Sequence, residues 1–93
     1  MSVSDTGQFI EVTLIAGELT DVPDILELCG RFRLVGAIFH PRRNHFSLRL
    51  LQGETVISYD GMENGGHFVI SEGKVVPEVM RVSVVRIFYE RIE

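Results

Sequence analysis

Two residues of this sequence have the types and the spacing of a catalytic acid–base pair. His45 opens an alternating segment, and Asp60 follows fifteen positions later. An imidazole is the usual general base near neutral pH, and a carboxylate can orient it and stabilise its charged form. If residues 52–54 form a hairpin turn, both side chains lie at one end of a sheet. A rim histidine and an aspartate in an Asp-Gly turn are the structural alternative.

The remaining reactive side chains form weaker patterns. Cys29 is the only thiol, and the residues before it are apolar or acidic. They offer none of the positive surroundings that activate a thiol, so we expect a buried structural cysteine. His40, His45 and His67 could share a metal with Asp60, but no Cys-x-x-Cys ligand pair accompanies them, and no metal is predicted. The glycines before His67 lack the strand-to-helix pattern of a phosphate loop, and no cofactor is predicted.

Length and charge bound the class of protein. The chain has 93 residues, 45% of them hydrophobic, and a formal net charge of −4. This is enough for one domain over residues 1–93, but little for a two-lobed enzyme. The acidic balance argues against a nucleic-acid binder, and no apolar run approaches the roughly 20 residues of a membrane span. A single cysteine fits a reducing compartment, so an intracellular protein is predicted.

The apolar residues mostly recur at every second position, which predicts strands. Ile10, Val12, Leu14 and Ala16 share one face of the first segment. The pattern predicts a mostly β domain: a single antiparallel sheet or partly open barrel of about six strands, with at most one short helical turn. Residues 1–7 are predicted to form a flexible tail.

The longest apolar segment covers residues 32–40. Phe32, Leu34, Gly36 and Ile38 alternate there with Arg33, Val35, Ala37 and Phe39. Because both sets are largely apolar, the strand is predicted to be covered on both faces.

Four motifs follow one another along the chain. They read FRLVGAIFH at 32–40, NHF at 44–46, YDG at 59–61 and VRIFYER at 85–91. In this order and spacing they resemble the C-terminal half of the ubiquitin-specific cysteine protease domain, above all its divergent fungal and transposon-associated versions. The resemblance spans about residues 8–91. It implies the β half of a papain-like peptidase, with His45 as general base, Asp60 as its orienting acid, and Asn44 and Tyr59 as substrate contacts.

The sequence departs from that family at the nucleophile. The family's cysteine and its oxyanion-stabilising asparagine lie in an N-terminal half that has no counterpart here. Cys29 does not match the cysteine box, and Ser47 lies on the same strand as the base, so neither replaces it. Without a thiolate and an oxyanion hole, the chain alone is predicted to be inactive. The implied partners are a Cys-bearing lobe and a ubiquitin-like protein.

Two other functions remain open. A non-enzymatic β module could bind a protein, or form a homo-oligomer through exposed strands, because unpaired edges and apolar faces favour association. A small barrel or sandwich with only a chance likeness to the peptidase would instead hold His45 and Asp60 far apart.

Overall fold

The computed structural model describes residues 2–14, 22–42, 45–60, 68–71 and 73–93, with the backbone alone at Ser2, Pro41, Arg42 and His45. The described strands are β1 Ser2–Asp5, β2 Phe9–Thr13, β3 Ile25–Glu27, β4 Arg31–Arg42, β5 His45–Gln52, β6 Thr55–Asp60, β7 Phe68–Ser71 and β8 Val84–Arg91. A 3-10 helix spans Glu78–Ser83.

These strands form one antiparallel sheet in the order β1-β2-β8-β4-β5-β6-β7, and β3 pairs with β4 beyond this path. The predicted mostly β fold is confirmed as a single sheet that does not close into a barrel. The described part has eight strands rather than about six, and two of its strands are very short. β1 has four residues and β3 has three. Residues 2–5, predicted as part of a flexible tail, form β1 through pairing with β2.

One face of the sheet carries the hydrophobic core, and we call it the covered face. Its side chains come from the central strands β2, β4 and β8, and from the segment that precedes and includes the 3-10 helix. They include Ile10, Val12, Phe32, Leu34, Ala37, Phe39, Val75, Val76, Val84, Ile87 and Tyr89, with Met80 packed against them. Tyr89 also donates its hydroxyl hydrogen to the Pro23 carbonyl at 2.7 Å, which ties the segment before β3 to the core.

Two bulges decide which residues of β4 and β8 enter the core. Leu34 pairs with Tyr89, but Gly36 pairs with Phe88, so Val35 is an extra residue in β4. A second shift leaves Val85 extra in β8. An extra residue turns the following side chains to the other face. The expectation that Phe32, Leu34, Gly36 and Ile38 share one face is therefore wrong: the buried set changes parity after Leu34 and continues with Ala37 and Phe39.

The opposite side of the sheet, the open face, is also largely apolar. Aligned across the strands, it carries Ile38, Phe46, Leu48, Leu50, Ile57, Tyr59, Phe68, Ile70 and Phe88. Phe46, Phe68 and Ile70 are 56%, 58% and 79% exposed. Gly36 lets its neighbours close over β4, because a Cβ there would lie 2.9 Å from Leu50 Cδ2.

The buried apolar side chains of the described segments outside the sheet, among them Val75 and Val76, pack on the covered face. Strand β4 was predicted to be covered on both faces. In the described residues, other segments cover it on one face only.

Candidate functional site at the end of the β5–β6 hairpin

The hairpin between β5 and β6 has the tight turn that the sequence predicts. Gln52 pairs with Thr55, and Gly53 and Glu54 form the turn between them. Gly53 has a φ of +64°, a conformation that glycine adopts without steric cost. A two-residue turn fixes the strand register, and therefore fixes which residues meet at the far end of the hairpin.

At that far end, the register brings the backbones of His45 and Asp60 together. Ser47 lies directly opposite Asp60. His45 precedes Ser47 by two residues in β5, so it belongs to the same face of the sheet as Ser47 and Asp60. His45 and Asp60 are then diagonal neighbours on adjacent strands, a relation that separates Cα positions by about 7–8 Å.

The surroundings of this corner are partly desolvated. On the β4 side, Ser47 lies opposite Phe39, whose side chain is completely buried. Ser47 and Asp60 themselves are half-buried. Water therefore screens a charge at this corner less than it screens one on a fully exposed surface.

Of the two residues that the resemblance implies as substrate contacts, Tyr59 does not join this corner. Tyr59 lies opposite Leu48 on the open face, where its ring is 5.0 Å from that of Phe68. Neighbouring residues of a strand point to opposite faces of the sheet. A ligand bound on one face therefore cannot contact both Tyr59 and Asp60. Asn44 lies outside the described residues.

Cys29 is remote from the corner and is not buried. It lies in the turn between β3 and β4, with a φ of +44° and an exposed side chain. The expectation of a buried structural cysteine is therefore wrong, because the turn directs this side chain away from the core. Cys29 precedes the first residue of β4, whereas His45 pairs with Arg42 at its last residue. The length of β4 separates them by about 35 Å, so Cys29 cannot serve His45 as a nucleophile.

The histidines do not form a metal centre in the described part of the chain. His40 stacks on Phe46 with ring centroids 4.2 Å apart, on the open face rather than beside Asp60. His67 lies outside the described residues. Among those that are described, no group of three His, Cys, Asp or Glu side chains could hold a metal ion.

A buried arginine near the corner was not anticipated from the sequence. Arg49 lies two residues beyond Ser47 and is only 9% exposed. Its guanidinium donates from Nε to the Val75 carbonyl at 3.1 Å and from Nη2 to the Lys74 carbonyl at 2.8 Å. Burial lowers the pKa of Arg49 from its ordinary value, because the charged form loses hydration. Arg49 thus attaches the segment around Val75 to β5. The one sequence signal for this residue is its place among the alternating polar positions of β5.

Comparisons with protein-family models, with curated proteins and with solved structures found no match. No helix in the described residues is long and apolar enough to cross a membrane.

Proposed function

We propose that this chain is the histidine- and aspartate-bearing half of a thiol isopeptidase of the ubiquitin-specific type, and that it requires a separate Cys-bearing lobe for activity. The observation that carries the proposal is the register of the β5–β6 hairpin, in which Ser47 lies opposite Asp60. That register gives His45 and Asp60 one face and adjacent strands. The open antiparallel sheet is also compatible with the β half of a papain-like peptidase.

The chemistry assigned to the pair is proton transfer. The imidazole of His45 accepts the proton of the partner lobe's cysteine, and the resulting thiolate attacks the carbonyl carbon of a peptide or isopeptide bond. His45 then returns the proton to the leaving amine as the bond to carbon breaks. In the second half of the cycle it activates a water that hydrolyses the thioester. Asp60 holds the imidazole in the productive tautomer and stabilises the imidazolium.

The first prediction concerns the isolated chain. We expect the purified protein to release no fluorophore from a ubiquitin C-terminal reporter. The reason is that its thiol, Cys29, lies at the opposite end of β4 from His45. The matched variant is Cys29→Ser, which should be indistinguishable from the wild type. Turnover by the wild type that Cys29→Ser abolishes would contradict the proposed division into two lobes.

The second prediction tests the pair itself. In Asp60→Asn, the pH midpoint of the His45 imidazole signals in NMR should fall, since the carboxylate no longer stabilises the imidazolium. The signals of His45 are assigned from their absence in a His45→Gln variant. This measurement is independent of the missing nucleophile, so it tests the geometry directly.

The control for this titration is Glu54→Gln, which removes the same charge at the turn of the hairpin. Glu54 is exposed and lies about 20 Å from Asp60 along β6, beyond the distance of about 8 Å over which physiological salt screens charges. It should leave the His45 midpoint unchanged. Equal midpoints in the wild type and Asp60→Asn would refute the acid–base pair.

A non-enzymatic protein-binding module is the second candidate, and the open face favours it. Phe46 and Phe68 on this face are more than half exposed, beside the half-buried Leu48 and Tyr59. An apolar surface that crosses several strands is typical of a surface that another protein covers. Its partner would be a protein with an apolar contact surface, and this role needs neither His45 nor Asp60.

A further inference from the structure

The two ends of the described sheet are strands of very different character. β7 reads Phe68, Val69, Ile70, Ser71, and its first three side chains are 58%, 38% and 79% exposed. It pairs with β6 on one side and is the last strand of the described sheet. It contains no charge and no proline, which are the features that usually protect an edge from pairing with another chain.

β1, the strand at the other end, carries such protection. It contains two serines and Asp5, with Val3 as its one apolar residue. Asp5 also accepts a hydrogen bond from the amide of Gly7 at 2.7 Å, which holds the carboxylate at the end of the edge. A second chain pairing with β1 would meet a charge, whereas one pairing with β7 would meet no charge, only three apolar side chains and Ser71. Of these two end strands, β7 therefore has the greater capacity to pair with another chain.

The sequence of β7 is complementary to itself in one antiparallel register. A two-fold axis perpendicular to the sheet, passing through Val69, would place Phe68 opposite Ile70 of a second copy and Val69 opposite its own counterpart. Phe68 and Ile70 belong to the same face, since they lie opposite Tyr59 and Ile57. The register therefore keeps both open faces on one side and creates two aromatic–β-branched pairs, which stabilise antiparallel strands.

We propose that the protein forms a two-fold symmetric dimer through antiparallel pairing of β7 with β7 of a second copy. The occupant is a second copy because the opposed pairs that residues 68–70 form in this register are all apolar and uncharged. The dimer would also join the two open faces into one apolar surface. This inference goes beyond the proposed function, because it requires neither a Cys-bearing lobe nor the His45–Asp60 pair.

Size sets the strength of this association. Two four-residue strands bury less than the roughly 1,200 Å² at the lower limit of standard protein interfaces, so the dimer is weak. The corresponding dissociation constant is about 10 μM to 1 mM. Dimerisation should therefore be evident at high concentration and lost on dilution.

The test is sedimentation velocity of the full chain over that concentration range, with two matched variants. Ile70→Lys should weaken the dimer by at least about tenfold, because it places a charge opposite the second copy's Phe68. Val3→Lys makes the same change in charge at β1 and should leave the dissociation constant within about twofold. A wild type that stays monomeric, or a dimer that Ile70→Lys leaves intact, would overturn the proposal.

Disulfide trapping tests the register without relying on those variants. In a Cys29→Ser background, Val69→Cys places two thiols directly opposite each other, where Cα atoms of paired strands lie about 4.5–5.5 Å apart. Mild oxidation should link this variant into a dimer. Ile70→Cys, whose counterpart is displaced along the strand, should link several-fold less. Equal linking of both variants, or none, would contradict the proposed register.

Discussion

Replacing Arg49 with methionine is expected to lower the free energy of unfolding by about 2 kcal/mol, although methionine matches much of its length and fills the same space. The guanidinium donates to the carbonyls of Lys74 and Val75, and Val75 is only 5% exposed. Methionine leaves the buried acceptor without that donor. The change also removes the cost of burying a charge, so the loss should be smaller than for two charged hydrogen bonds in full.

The measurement is urea unfolding followed by circular dichroism, together with amide exchange. For a domain of this size, a loss of about 2 kcal/mol corresponds to a fall in melting temperature of about 8–16 °C. The amides of Val75 and Val76 should also exchange faster than in the wild type, because Arg49 attaches their segment to β5. A purely local weakening would raise that exchange with little change in global stability, which would contradict the predicted contribution to the fold.

Arg86→Met is the matched control. Arg86 lies on the open face and forms an ion pair with Glu11 at 3.1 Å, but its side chain is 45% exposed. Such pairs contribute about 0–1 kcal/mol, since water already solvates both charges. Equal losses in the two variants would mean that the buried hydrogen bonds of Arg49 stabilise the fold no more than an exposed ion pair does.

The residues of β5 show how far the sequence determines this fold. Alternation correctly predicts a strand, a tight turn at Gly53 and a partner strand after it. It does not predict which side faces the core: Phe46, Leu48 and Leu50 lie on the open face, while Arg49 is buried. Hydropathy alone would favour the opposite choice. The outcome depends on which strands and segments pack above β5, and those contacts are remote in sequence.

Local irregularities account for the other differences. Val35 and Val85 each add one residue to a strand, and neither has a sequence feature that separates it from its neighbours. Cys29 is exposed because it adopts a positive φ in a turn that the sequence marks only with Gly30. β1 exists because β2 offers it a pairing edge, not because of its own composition.

The register at the candidate site was predictable to a greater extent, for a physical reason. Its two residues lie on one hairpin, where a short turn fixes the register without help from distant parts of the chain. Ser47 opposite Asp60 follows from the turn at Gly53 and Glu54 by counting residues back along both strands. Tyr59 illustrates the limit of motif reasoning: it is adjacent to Asp60 in sequence, yet it lies on the other face.

The second large effect is expected at Phe39. Phe39→Ala should lower the free energy of unfolding by about 3–5 kcal/mol, because its ring is completely buried on the covered face and its loss leaves a cavity. The stability of a 93-residue domain is about 5–14 kcal/mol, so this variant is close to the limit of folding. Phe39→Leu removes less volume, so the effect of this position on the free energy of unfolding can still be measured if the alanine variant does not fold.

Phe46→Ala is the matched variant on the open face. Its ring is 56% exposed and stacks on His40, so we expect a loss of less than about 1 kcal/mol in the isolated chain. Urea unfolding of both variants compares the two faces of the sheet directly. If the open face binds a protein partner, the two losses of unfolding free energy should differ greatly. A surface that is buried only in a complex contributes little to the stability of the free chain. Comparable losses would mean that the isolated chain already buries both faces, which would remove the basis for a protein-binding role of the open face.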